Sequence, residues 1–179
     1  MGAVMIEFNE YYMLVALAVR ERANCRGRRV GAIIVKDNRI IGTGYNGTPE
    51  GMANCEDGGC VRCEKYRKKS QNYDQCICVH AEQNAMVTAA RFGHSIQHSI
   101  VYTTLQPCFT CAKQFLQAKV KTIYYLDNLD KKIKKLSVED KDFNDQYKIL
   151  CNRFKKHPTK IKKRTLIKNV HNIKKYLQK

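Results

Sequence analysis

Between Ile6 and Ala23, apolar and aromatic side chains recur at Phe8, Tyr11, Tyr12, Val15, Leu17, Ala18 and Val19, a spacing that predicts an amphipathic helix. Two runs rich in β-branched residues follow, VGAIIV at 30–35 and RIIGTGY at 39–45, parted by Lys36-Asp37-Asn38, and predict a β-hairpin with a short turn. Residues 46–76 show no period. They hold Gly47, Pro49, Gly51, Gly58 and Gly59, the cysteines Cys55, Cys60, Cys63 and Cys76, and the basic run KYRKK, and read as an ordered loop. A loop of this length inside a compact domain is functional or pinned by something. Regular patterns then resume. HAEQNAMVTAARFG predicts a helix stopped at Gly93, SIVYTTL (99–105) a strand, CFTCAKQFLQAK a helix and KTIYYL (121–126) a strand. A hairpin followed by alternating helix and strand argues for an α/β fold with a mixed sheet. Beyond residue 127 the apolar pattern is weak until about Tyr147, and KKIKKL, RFKKHPTKIKKR and NIKKYLQK suggest helical pieces interrupted at Pro158.

Composition adds limits. At 179 residues and 44% apolar content the chain can bury a core of its own. The apolar run LVALAV at 14–19 follows Glu7 and Glu10 and ends at Arg20 and Arg22, so it resembles neither a signal peptide nor a membrane span. Met1-Gly2 is followed by Ile6 where a myristoylation motif requires Ser or Thr. The expectation is a cytoplasmic, reduced protein whose cysteines, nine in all, include metal ligands rather than disulfides, with Cys151 alone in the tail and in need of no function. The net charge of +17 is uneven: residues 127–179 carry 17 of the 33 basic side chains but only 6 of the 16 acidic ones.

Two short stretches carry chemistry. In QPCFTC, Pro107 favours a helix starting at or just after its own position, which sets Cys108 and Cys111 on one face of the first turn, where the helix dipole and free amides stabilise thiolates. C-x-x-C alone also suits thioredoxin-like redox chemistry. His80, at the start of another predicted helix, offers a third ligand and leaves a fourth position open, as in a catalytic zinc site. Glu82 cannot share a target with His80 on the flank of an ideal helix, where positions i and i+2 diverge by about 200°. Both can reach a target beyond the first turn, and there Glu82 would stand beside the metal's water and move its protons. The competing reading is a buried histidine and an exposed glutamate that happen to precede a redox pair. H-x-E followed by P-C-x-x-C is the signature of zinc nucleobase deaminases.

Six further cysteines precede His80: Cys25, Cys55, Cys60, Cys63, Cys76 and Cys78. A second, closed zinc site among them would pin the long loop; the alternative is a set of reduced, buried, small apolar residues. Arg26, Arg28 and Arg29 precede the first strand and are either phosphate partners or a solvated turn. Asn46-Gly47 suits a turn as well as a ligand role.

GTGYNGTPEGMANC (42–55), CVHAEQNAM (78–86) and YTTLQPCFTCAKQFLQAKVKTIYY (102–125) resemble the deoxycytidylate (dCMP) deaminases of bacteria, phages and fungi, a branch of the cytidine deaminase superfamily. The likeness runs over about residues 6–127 and is absent after. It implies a three-layer αβα sandwich with a central, mixed, five-stranded sheet in a deaminase domain at 1–127; residues 128–179 are expected, from their own charge and pattern, to be a basic, helical extension. It implies His80, Cys108 and Cys111 as zinc ligands and Glu82 as general acid and base. Asn46 would contact the sugar, and the backbone around Ala81 and Leu105 would hold the pyrimidine edge. The reaction implied is dCMP and water to dUMP and ammonia, supplying thymidylate synthesis. In this family the segment holding Tyr45 and Gly47 lies near a regulatory site, where dCTP with Mg²⁺ activates and dTTP inhibits, usually in a hexamer. Arg91 is a further candidate for such a site or a subunit contact.

Several of these enzymes carry a structural zinc with ligands resembling Cys25 and Cys55. Cys60 with Cys63 has chelating spacing, whereas Cys60 with Cys76 matches shorter bacterial relatives, and the set expected is Cys25, Cys55, Cys60 and Cys76. Two rival functions remain open. One is a deaminase of dCTP, or of a base in single-stranded DNA or RNA gripped by the basic tail, although stacking aromatics there are sparse. The other is a zinc-stabilised basic binding module, against which the intact Glu82 speaks.

Overall fold

The computed structural model describes residues 6–65, 76–126 and 160–163. Its elements are α1 (Phe8–Arg20), β1 (Gly31–Lys36), β2 (Arg39–Tyr45), α2 (Val61–Lys65), α3 (Ala81–Arg91), β3 (Ile100–Thr103), α4 (Phe109–Gln117), β4 (Thr122–Tyr125) and β5 (Lys160–Lys163), with a single 3-10 turn at Cys55–Asp57. The strands form one sheet in the order β2-β1-β3-β4-β5. The first three pair antiparallel, while β4 runs parallel to β3 and β5 parallel to β4, so the sheet is mixed.

The hairpin closes on Asp37-Asn38, with Lys36 opposite Arg39. Both turn residues have positive φ, 49° and 58°, as a two-residue turn matched to strand twist requires and as Asp and Asn tolerate. Alternation along β1 then divides the molecule into layers. Ile33 and Val35 pack with Tyr12, Met13 and Ala16 of α1 and with Tyr102 and Tyr124. Ala32 and Ile34 turn to the opposite face, against Ala81 and Ala85 of α3 and Ala112 and Phe115 of α4, with Val101 and Ile123. Helices on both faces make the αβα sandwich of the cytidine deaminase-like fold.

Two glycines set how closely the helices lie. A Cβ on Gly31 would strike the backbone of Ala16 and Arg20 in α1, and one on Gly44 would strike the Ala81 carbonyl and the Ala85 nitrogen in α3. The start of α3 therefore lies directly on β2.

The helix expected from Ile6 to Ala23 is shorter at both ends and buries Tyr12, Met13, Ala16 and Leu17, while Phe8, Tyr11 and Ala18 face outward. The long loop contains α2, five residues with no room to display a period. At Lys160–Lys163 the expected helical extension is instead a strand, with Ile161 opposite Ile123. A parallel edge strand needs only backbone pairing with its neighbour, and lysines are what natural edge strands carry, so the segment has no apolar signature. Its remaining expected helical pieces, Cys151 and most of KYRKK lie outside the described residues.

Candidate active site and cysteine cluster

Two helix starts meet on the α3/α4 face. His80 is the N-cap of α3, with extended backbone (φ −69°, ψ 152°), and Cys108 is the N-cap of α4, with φ −67° and ψ 169°. Each helix begins one residue later than an all-helical reading of its motif, which puts Cys111 three residues past its cap. Because His80 is not helical, the 200° divergence between helical i and i+2 positions does not apply, and Glu82 on the second helical residue can share its target. The His80 N–H donates to Gln83 Oε1 at 3.1 Å and its carbonyl accepts from the Asn84 N–H at 2.9 Å, which fixes the turn into α3.

His80 Nδ1 lies 3.4 Å from Cys108 Sγ and 3.5 Å from Cys111 Sγ. Around a tetrahedral zinc, bonds of about 2.05 Å to nitrogen and 2.3 Å to sulfur put such atoms about 3.6 Å apart. The trio therefore fits a zinc ion as it stands. The Cys111 thiol donates to Cys108 and, aided by His80, outweighs burial to bring the Cys108 thiol down to about 4. The Cys108 sulfur in turn raises His80 above the ordinary imidazole range. Cys111 is pushed up, first by its hydrogen bond to Cys108 and then by burial, so that without metal it holds a proton that zinc must displace.

Glu82 is 4% exposed. Burial first, and the negative charge of Cys108 second, raise its carboxyl to about 7, where it exchanges protons readily near neutrality.

The GYNG segment reaches this site through the backbone. Gly47 and Val79 exchange N–H···O bonds of 2.8 and 3.3 Å immediately before His80, and the Asn84 amide donates to the Tyr45 carbonyl at 2.7 Å. Asn46 is buried, its Oδ1 accepting from the Val30 N–H at 2.7 Å and its Nδ2 donating to the Arg28 carbonyl at 2.8 Å. One N–H and one lone pair of that amide remain for a ligand. Ala81 opens α3 fully buried, and Leu105, half-buried, packs against the same core layer just after β3. The arginines divide. Arg26 binds the Glu56 carbonyl at 2.5 and 3.2 Å and Arg29 pairs with the Glu56 carboxylate at 2.8 Å, whereas the Arg28 guanidinium has no partner among the described residues. Arg91 pairs with Glu50 at 3.1 Å on the surface, away from the zinc trio's helix start.

The structure redraws the second cysteine set. Cys25 and Cys55 converge with Cys63 and Cys78, and Cys60 and Cys76 converge with those same two. The expected quartet of Cys25, Cys55, Cys60 and Cys76 is thus split, because Cys63 and Cys78 occupy the middle of the cluster. The expected set omits both, although Cys63 has the chelating spacing with Cys60 noted above and Cys78 lies at C-x-C spacing from Cys76. Burial raises Cys25, Cys63 and Cys78; it opposes ionisation of Cys60 as well, but the amides of Cys63 and Ile77 and the neighbouring thiols bring that group down to about 6.

Residues 6–127 match the family described as the cytidine and deoxycytidylate deaminase zinc-binding region, and the chain belongs to that family. It is 41% identical to the deoxycytidylate deaminase of Schizosaccharomyces pombe over 118 residues, covering 66% of this chain and 36% of that protein. The Saccharomyces cerevisiae deoxycytidylate deaminase is 40% identical over 118 residues, with 66% and 37% covered. The chain thus spans little more than a third of the length of these yeast relatives. Among solved structures, the dCMP deaminase of cyanophage S-TIM5 in complex with dCMP and dUMP is similar with a TM-score of 0.64 and 31% identity, over 90% of this chain and 100% of that one.

Proposed function

We propose that the chain hydrolyses dCMP to dUMP and ammonia. The observation that carries this is the buried Glu82 beside a His-Cys-Cys trio already at zinc-ligand spacing, in a family whose phage member binds dCMP and dUMP. His80, Cys108 and Cys111 hold the zinc. When bound, zinc supplies a Lewis acid that lowers the pKa of a water from bulk value towards about 7. Glu82 takes a proton from the attacking water as it adds to C4 of cytosine and delivers it to N3; it then takes the proton of the new C4 hydroxyl and passes it to the amine, which leaves as ammonia while the C4 carbonyl forms.

Substrate contacts follow from placement. The spare donor and acceptor of Asn46, one residue from the Gly47–Val79 bridge, serve the sugar; the backbone at Ala81 and Leu105 serves the pyrimidine edge. Arg28 is the phosphate partner favoured over Arg26 and Arg29, whose guanidinium groups Glu56 already occupies. Activation by dCTP with Mg²⁺, inhibition by dTTP through the Tyr45–Gly47 segment or Arg91, a hexameric assembly and a cytoplasmic location belong to the same reading. The six-cysteine cluster is a structural zinc site, and Cys78 sits two residues before the His80 ligand.

Chromatographic identification of products from dCMP, dCTP, deoxycytidine and a cytosine-containing oligonucleotide tests the substrate. The expected result is dUMP from dCMP, faster when dCTP is present. Uracil appearing only in the oligonucleotide, with binding that falls steeply with salt, would replace this reading with the polynucleotide one.

A further inference from the structure

Six thiols from three chain segments meet beside the active site, and their grouping is specific. Cys25, Cys55, Cys63 and Cys78 form one tetrad, Cys60, Cys63, Cys76 and Cys78 another, and Cys63 and Cys78 belong to both. We infer that the cluster holds two divalent zinc ions in tetrahedral sites joined along the Cys63–Cys78 edge, with Cys25 and Cys55 terminal on one ion and Cys60 and Cys76 terminal on the other. This rests on the reading of the cluster as a metal site and fixes its stoichiometry and connectivity.

Geometry supports it first. Four sulfurs at about 2.3 Å from a tetrahedral zinc are about 3.8 Å apart along each edge. Cys76 Sγ lies 3.8 Å from Cys60 Sγ and 3.7 Å from Cys63 Sγ. Disulfides require about 2.05 Å, and all eight described cysteines are free. Two tetrahedra that share an edge need six ligands, two of them common, and that is the membership observed.

Charge and coordination supply the second argument. A single zinc on either tetrad would use four thiolates and leave two thiols of the cluster idle. A second zinc recruits only those two, so its two positive charges balance the two added thiolates and the net charge of the buried centre does not grow. The residual negative charge meets donors: the Arg26 N–H donates to Cys55 Sγ at 3.3 Å, and the amides of Cys63 and Ile77 face Cys60. Such N–H···S bonds are the usual outer support of metal thiolates. Five of the six cysteines are buried and Cys76 is half-buried, which leaves the ions one partly open side for entry.

The test is a metal count on the full chain, expressed with supplemented zinc, freed of loose metal and examined by native mass spectrometry. Three zinc ions per chain are expected, one at His80 and two at the cluster, falling to two in a C108S/C111S double variant. Cys25→Ser and Cys60→Ser should each remove one ion, and Cys63→Ser should remove more than either. A wild-type count of two, or a count unmoved by either Cys25→Ser or Cys60→Ser, would overturn the shared-edge site while leaving a single structural zinc standing. A count of one would overturn both. Cadmium substitution needs no variant: two tetrathiolate resonances are expected besides that of the His80 site, and a single one refutes the pair.

Discussion

Glu82 is an acid kept where water cannot solvate it, and its carboxyl near 7 has a cost as well as a use. In the folded chain its pKa lies above the ordinary carboxylate value of 4.5, so the proton binds the folded state more tightly. The penalty is absent well below 4.5, where both states are protonated, grows between 4.5 and 7, and is complete above 7. In the zinc-free protein Glu82→Gln should therefore raise stability at pH 8 by up to about 3 kcal/mol and leave it unchanged near pH 3.5, measured by denaturant unfolding at both pH values. The same variant in the zinc-loaded protein should keep its metal and lose turnover by a factor of about 10² or more, since the proton carrier is gone. Asn46→Ala strands the Val30 N–H and the Arg28 carbonyl and should cost about 1–3 kcal/mol, with a rise in KM if the amide's spare groups hold the sugar.

At the level of elements, α3 carries the site because β2 lets it lie close. Gly44→Ala places a methyl against the Ala81 carbonyl, and the helix can yield only by moving its first turn, which bears His80 and Glu82. The expected result is a larger loss in kcat than in zinc content, with a lower Tm; a variant with wild-type kcat would show that the contact does not position the site. Elements with a period were legible in the sequence: the hairpin, α1, α3, β3, α4 and β4 all appear where alternation or helical spacing put them. The 3-10 turn and α2 were not, because three to five residues display no period and their course is set by cysteines meeting across the loop. The meeting of His80 with Cys108 and Cys111 was legible because each half is a local motif at a helix start. The second cysteine set was not, since the pairing of Cys63 and Cys78 with both halves depends on where three loops cross.

For the whole molecule, the revealing element is β5. The basic tail, read from its charge as an appendage, supplies the fifth strand of the sheet at Lys160–Lys163, and β4 would otherwise be the edge. Lysine favours helices in isolation, and only the tertiary pairing with β4 makes this segment a strand. A chain ending at residue 159 should melt lower and associate more than the full one, seen by thermal unfolding and light scattering, because β4 then presents unpaired backbone groups. Loss of activity on tail deletion would for that reason say little about nucleic acid. Salt dependence of binding by the intact chain, whose net charge is +17, is the sounder probe. No helix among the described residues is long and apolar enough to cross a membrane.

The most direct test of the account is the ultraviolet time course of dCMP with the zinc-loaded protein, run in parallel with Glu82→Ala of verified zinc content. Turnover by the wild type that is lost in the variant is the predicted result. Equal rates in the two, or no turnover of dCMP by a wild type that holds zinc at His80, Cys108 and Cys111, would contradict it.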